Sequence, residues 1–221
     1  MSFPKNLTSV GKKILMGLTG LALIGFLCAH LAGNLLVFIG PGTFNEYSHK
    51  LTANPLIYVA ELGLLAIFLG HLATGIALTL RNRAARPTPY HVKRSAGHTT
   101  RKSLASATMI VSGAIVLVFV PLHLWTFKFG KSYGAEGGVR DLYRLVMEVF
   151  SSPGYVLWYL VAMVFVGFHL WHGFSSAFQS LGAEHPRWDP LLRSFGWFLS
   201  VLIAGGFIAV PVVIFFAGGK L

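Results

Sequence analysis

Residues 56–80 read LIYVAELGLLAIFLGHLATGIALTL, with Glu61 as the one charged side chain and His71 as the one imidazole. A helix rises about 1.5 Å per residue, so this stretch reaches across a hydrocarbon layer about 30 Å thick. Lipid has no water to satisfy free backbone groups, which leaves a helix as the expected element. Four further runs have the same character: Ile14–Phe38, Ser103–Phe127, Gly154–Phe178 and Phe195–Phe216. The expectation is an all-α integral membrane protein with five transmembrane helices, residues 1–221 forming a single membrane domain.

Composition agrees. Only 11% of the 221 residues are charged and 54% are hydrophobic, whereas a soluble domain carries about 25% charged residues. The net charge of +11 does not point to nucleic acid, because the basic residues sit in short connections between apolar runs. Lone Cys28 excludes an internal disulfide. The first apolar run is longer than a signal-peptide core and lacks a convincing cleavage site, so it is expected to remain in the mature protein.

Basic residues set the expected orientation. Twelve of the eighteen lie on the side of the N-terminus, in three groups: Lys5, Lys12 and Lys13; the seven between Arg81 and Lys102; and Arg187 with Arg193. The N-terminus is therefore expected in the cytoplasm. The Pro-bearing stretch 41–55 is expected as a connection between spans. Pro121 is expected to kink the third helix, and GGVRDLYRLVMEVF (137–150) to form a short amphipathic helix on the outer surface.

Four of the five spans carry histidine: His30, His71, His123, and the pair His169 and His172. Polar groups at membrane depth are costly and usually functional. His30 comes 16 residues after Ile14, roughly 24 Å along an outward-running helix. His71 comes 15 residues after Leu56 and His169 15 after Gly154, both on inward-running helices. His123 lies near the outer end of its helix. The histidines thus sort into an outer layer, His30 with His123, and an inner layer, His71 with His169. Two imidazoles facing each other at one level can hold a planar iron macrocycle from both sides, and helix bundles build such sites from facing helices. Two haems b follow, held in a four-helix core with the fifth helix beside it. No C-x-x-C-H is present for covalent attachment. A zinc site needs three or four converging ligands, against which the two-and-two sorting argues. Taken singly, a histidine in a membrane helix is more often a hydrogen-bonder between helices or a proton relay than a haem ligand. Glycines flank the sites, among them Gly20, Gly25, Gly70, Gly113 and Gly173.

The stretches MGLTGLALIGFLCAHLAGNLLVFIGPGTFNEYSH, NPLIYVAELGLLAIFLGHLATGIAL, PLHLWTF and GFHLWHGFSSAFQSLG together resemble the single-chain, dihaem cytochrome b subunit of bacterial succinate dehydrogenase or fumarate reductase, the b558 type. The resemblance covers roughly residues 10–182. It implies a five-helix anchor in the bacterial cytoplasmic membrane and two haems b. A flavoprotein and an iron–sulfur subunit would dock on the cytoplasmic side, and electrons would be exchanged with membrane quinone, usually menaquinone. The four family ligands fall on His30, His71, His123 and His169, the four that depth selects. Some fumarate-reducing members carry a glutamate two residues before the fourth-helix ligand; here that position is Gly167, so that proton path is not implied.

The remaining polar groups carry open readings. His172 is expected at the inner haem's edge, bonded to a propionate or a quinone, with an interhelical hydrogen bond as the equal alternative; as the iron ligand itself it would offset the inner pair by ~4.5 Å. Glu61 is either a contact for quinol at an outer site or an interfacial carboxylate reaching water. Glu46 and His49 are its rivals at that surface. Arg81, Arg101 and Lys13 are candidates for the inner haem's propionates, although the basic loop 81–102 also follows from topology and anionic lipid. The rival functions are a cytochrome b subunit of a formate dehydrogenase or hydrogenase, and a haem-free anchor or transporter.

Overall fold

The computed structural model describes residues 8–85, 104–135, 138–183 and 185–219. Arg101 and most of the basic loop lie outside the described residues. Among the described residues five helices are long and apolar enough to cross a membrane: Ser9–Phe38, Leu56–Ala84, Met109–Phe127, Pro153–Ser180 and Asp189–Phe216. The protein is an all-helical integral membrane bundle.

Helix α1 (Ser9–Leu35) opens on Thr8, whose side chain accepts a hydrogen bond from the Gly11 N–H at 3.1 Å, one of the donors a helix start leaves unpaired. A 3₁₀ turn, Leu36–Phe38, extends it. The chain then turns at Gly40, whose φ of 128° strains any side-chain-bearing residue, and Pro41 starts α2 (Pro41–Ala53). The expected connection is therefore a helix, with proline at its first position, where the missing N–H costs nothing. Helix α3 (Leu56–Ala84) returns. The third span is interrupted at Thr108, between α4 (Leu104–Ala107) and α5 (Met109–Phe127), and α5 runs through Pro121 without a break.

Helix α6 (Leu142–Phe150) is amphipathic as expected, with its apolar face buried. Tyr143, Leu145, Val146, Met147, Val149 and Phe150 are all buried, and α6 contacts α2, α5, α7 and α8. It closes the end of the bundle opposite the N-terminus. Asn45, on α2, is 7% exposed and ties the two short helices together. Its Nδ2 donates to Asp141 Oδ1 at 2.8 Å and its Oδ1 accepts from the Tyr143 N–H at 2.9 Å. Asp141 in turn caps α6 by accepting from the Arg144 N–H.

Helices α7 (Pro153–Ser180) and α8 (Asp189–Phe216) share the most extensive packing, and α1 packs on both. Small residues bring these three together. A Cβ on Gly167 would stand 3.2 Å from Ala204 Cβ, and one on Gly206 2.8 Å from Leu31; without a hydrophobic drive in lipid, such close approach supplies the dispersion contacts. The fifth span packs on α7 and α1, beside the four helices that carry the histidines. Helices α3 and α5 are the flanks. α3 leans on α1 and α5 on α7, while α1 has no extensive contact with α5, nor α3 with α7. Two gaps therefore run along the bundle.

Candidate cofactor clefts

The histidines face one another across those two gaps. His30 of α1 meets His123 of α5 with ring centroids 5.8 Å apart and planes at 87°. His71 of α3 meets His169 of α7 at 6.3 Å and 69°. These are called the outer and inner pairs, after the orientation expected above. A metal–nitrogen bond of about 2 Å and a ring centre about 1 Å beyond it put two imidazoles on one metal roughly 6 Å apart, centre to centre. Both pairs have that spacing. Among the described residues no group of three or more His, Cys, Asp or Glu converges, so pairs are what the bundle offers.

The inner pair is held by hydroxyls. Thr19 Oγ1 of α1 lies 3.2 Å from His71 Nδ1, and Ser112 Oγ of α5 lies 3.1 Å from His169 Nδ1. The next residue in each case is a glycine that the same ring covers. A Cβ at Gly20 would be 3.3 Å from His71 Cε1, and one at Gly113 3.5 Å from His169 Cε1. Gly25, Gly70 and Gly173, which sequence reading grouped with them, meet nothing within 4 Å.

The outer pair sits among aromatic rings. Phe26 stacks on His30 at 5.2 Å and Phe119 on His123 at 5.5 Å, with Phe207 of α8 beside His30. His123 Nδ1 is 3.1 Å from the Tyr159 hydroxyl, and Phe127 and Phe150 pack around Tyr159. The Asn34 side chain donates to the His30 carbonyl at 2.8 Å. Trp158, whose ring neighbours Phe119, has a buried Nε1 with no partner among the described residues. The spacing of the rings, the gaps between helices and the covered glycines suit a flat macrocycle at each level.

The hydroxyl and aromatic partners were not foreseen from the sequence, yet a signal for them exists. Residues 19–30 and 112–123 both read [S/T]-G-x5-F-x3-H, with Thr19, Gly20, Phe26, His30 in one and Ser112, Gly113, Phe119, His123 in the other. Each copy supplies an outer histidine, the phenylalanine stacked on it, and the hydroxyl and glycine that seat an inner histidine.

The other candidate residues are dispersed. His172 is half-buried one turn from His169, with no hydrogen bond from its ring among the described residues. Glu61 forms an ion pair with Lys128, at the end of α5, so it bridges the two flanking helices. Glu46 and His49 are exposed on α2. Glu46 pairs with Lys50 at 2.6 Å, whose hydrogen bond and charge hold its carboxyl below the usual range. Arg81 and Lys13 are exposed at the N-terminal end.

No family model matches the chain, and no solved structure does. Among curated proteins it is similar to the succinate dehydrogenase cytochrome b558 subunit of Bacillus subtilis (strain 168), with 26% identity over 163 residues, 72% of this chain and 73% of that protein. The similarity is distant and is spread over most of both chains.

Proposed function

We propose that the chain is the dihaem cytochrome b anchor of a succinate:quinone oxidoreductase, carrying electrons between an iron–sulfur subunit and a membrane quinone, with menaquinone the expected type. The observation that carries this reading is the pair of histidine pairs, each spanning a helix gap at its own depth. Haem b at each level supplies one-electron storage. His30 and His123 would hold the outer haem, His71 and His169 the inner one. Around the outer pair Phe26, Phe119 and Phe207 exclude water; at the inner pair Thr19 and Ser112 orient the rings. Burial and these outer-shell bonds are the chain's means of setting potential.

The chain has no nucleotide fingerprint and one cysteine, so oxidation of succinate would fall to a flavoprotein and an iron–sulfur partner. The N-terminal end, rich in Lys and Arg, is the proposed cytoplasmic docking side. Glu61, Glu46 and His49 are proposed at the opposite end as quinone contacts, and Arg81, Arg101 and Lys13 at the docking end as propionate contacts.

The test is purification from the native membrane with partners retained. The expected complex holds a flavoprotein and an iron–sulfur protein and passes electrons from succinate to a quinone. A molybdenum- or nickel-containing partner would assign the same cytochrome to formate or hydrogen oxidation instead. A colourless chain with no electron-transfer partner would leave the haem-free anchor.

A further inference from the structure

The inner histidines share an arrangement that the outer ones lack. Thr19 Oγ1 is bonded in two directions: it donates to the Leu15 carbonyl at 2.7 Å, and it stands 3.2 Å from His71 Nδ1. Ser112 Oγ repeats this, donating to the Met109 carbonyl at 3.1 Å with His169 Nδ1 at 3.1 Å. A hydroxyl has one proton and two lone pairs. With its proton given to the carbonyl one turn back, it meets the imidazole as an acceptor, and Nδ1 must then carry the hydrogen. A neutral imidazole protonated at Nδ1 has its lone pair on Nε2. Both rings of the pair are set the same way, from two different helices.

We infer that Thr19 and Ser112 are positioning residues for the inner pair: each hydroxyl, its own proton committed to its helix backbone, accepts from Nδ1–H of His71 or His169 and fixes the tautomer that leaves Nε2 free for iron. The inference rests on the haem reading and adds to it a means of tuning. An acceptor on Nδ1–H makes imidazole a more basic ligand, which favours ferric over ferrous iron and lowers the potential at the inner level. The twin glycines belong to the same device. At Gly20 a Cβ would crowd the His71 ring at 3.3 Å, and at Gly113 the His169 ring lies within contact distance of the Cβ position, at 3.5 Å.

The test compares Thr19→Val and Ser112→Ala with wild type in the purified complex, by haem content per chain and by redox titration followed in the α-band. Thr19→Ser and Ser112→Thr are the conservative partners. Thr74→Val is the packing control, since Thr74 is equally buried but its hydroxyl bonds Gly70 and His71 carbonyls of its own helix and Met16 Sδ. The expected result is a rise in the inner haem's potential in Thr19→Val and in Ser112→Ala, with haem binding weakened 10–100-fold. The outer potential should not move, the hydroxyl-bearing variants should restore wild type, and Thr74→Val should match wild type. Unchanged inner potential and occupancy in both hydroxyl-free variants would overturn the inference while leaving the haem reading intact. Equal haem loss in Thr19→Ser and Thr19→Val would reduce Thr19 to a packing role and overturn it likewise. A wild-type chain without haem would overturn the reading on which it rests.

Discussion

At Gly20 an added methyl would meet His71 Cε1 at 3.3 Å and at Gly113 it would meet His169 Cε1 at 3.5 Å, whereas at Gly25 it would meet nothing within 4 Å. A branched side chain at the first two positions must push the ring from its seat, and overpacking of this kind costs about 1–3 kcal/mol. Gly20→Val and Gly113→Val are therefore expected to lose or shift the inner haem, read as half the haem per chain with one set of spectral features gone. Gly25→Val should keep both. The same logic separates the two neighbouring histidines: His169→Ala should remove the inner haem and His172→Ala should leave it, because only the former faces His71 across the gap. The four facing histidines were legible in the sequence because an imidazole at membrane depth is rare enough to stand out, and counting rise along each span sorted them into levels. Thr19 and Ser112 were not, because Ser and Thr in membrane helices ordinarily bond their own backbone one turn back. These two do so as well, and only the fold reveals the second partner.

Helices α2 and α6 form a cap that depends on one buried amide. Asn45→Ala would remove the acceptor of the buried Tyr143 N–H and one of the donors to Asp141, and leaving a buried N–H without its acceptor costs about 1–3 kcal/mol. The expected outcome is a lower thermal midpoint in detergent and faster proteolysis between residues 41 and 53, with the inner haem spectrum unaltered. The connection leading into α6 has a separate, pH-sensitive tie. Glu148 pairs with Lys131 and with the Tyr133 hydroxyl, and the Lys131 and Tyr133 hydrogen bonds hold its carboxyl below the ordinary 4.5. A depressed carboxyl pKa stabilises above the unfolded value and stops doing so as pH falls through the lower folded one. The connection should therefore loosen under acid, below about pH 4.5, and Glu148→Gln should show that looser behaviour already at neutral pH; hydrogen exchange of residues 128–135 measures both. Being exposed, the pair should also weaken with salt. Of these two elements the sequence announced α6 through its apolar stripe. It did not announce α2, because PGTFNEYSHKLTA carries too few apolar residues to show a helical period and its helix is fixed by contacts with α1 and α6.

Across the whole molecule the five spans were readable from hydropathy, but their arrangement was not. Lipid and protein interior are equally apolar, so a span's composition does not say which neighbour it touches. That is why nothing in the sequence set α8 against α1 and α7, or α3 and α5 out on the flanks with a gap beside each. Those gaps are where the account stands or falls. The measurement that tests it most directly is a dithionite-reduced minus oxidised spectrum of the purified chain with haem quantified per polypeptide. The expected result is two haems b per chain, falling to one in His30→Ala and in His169→Ala. A haem-free chain would contradict the account outright, and a single haem unaffected by one of those two substitutions would contradict the two-level pairing.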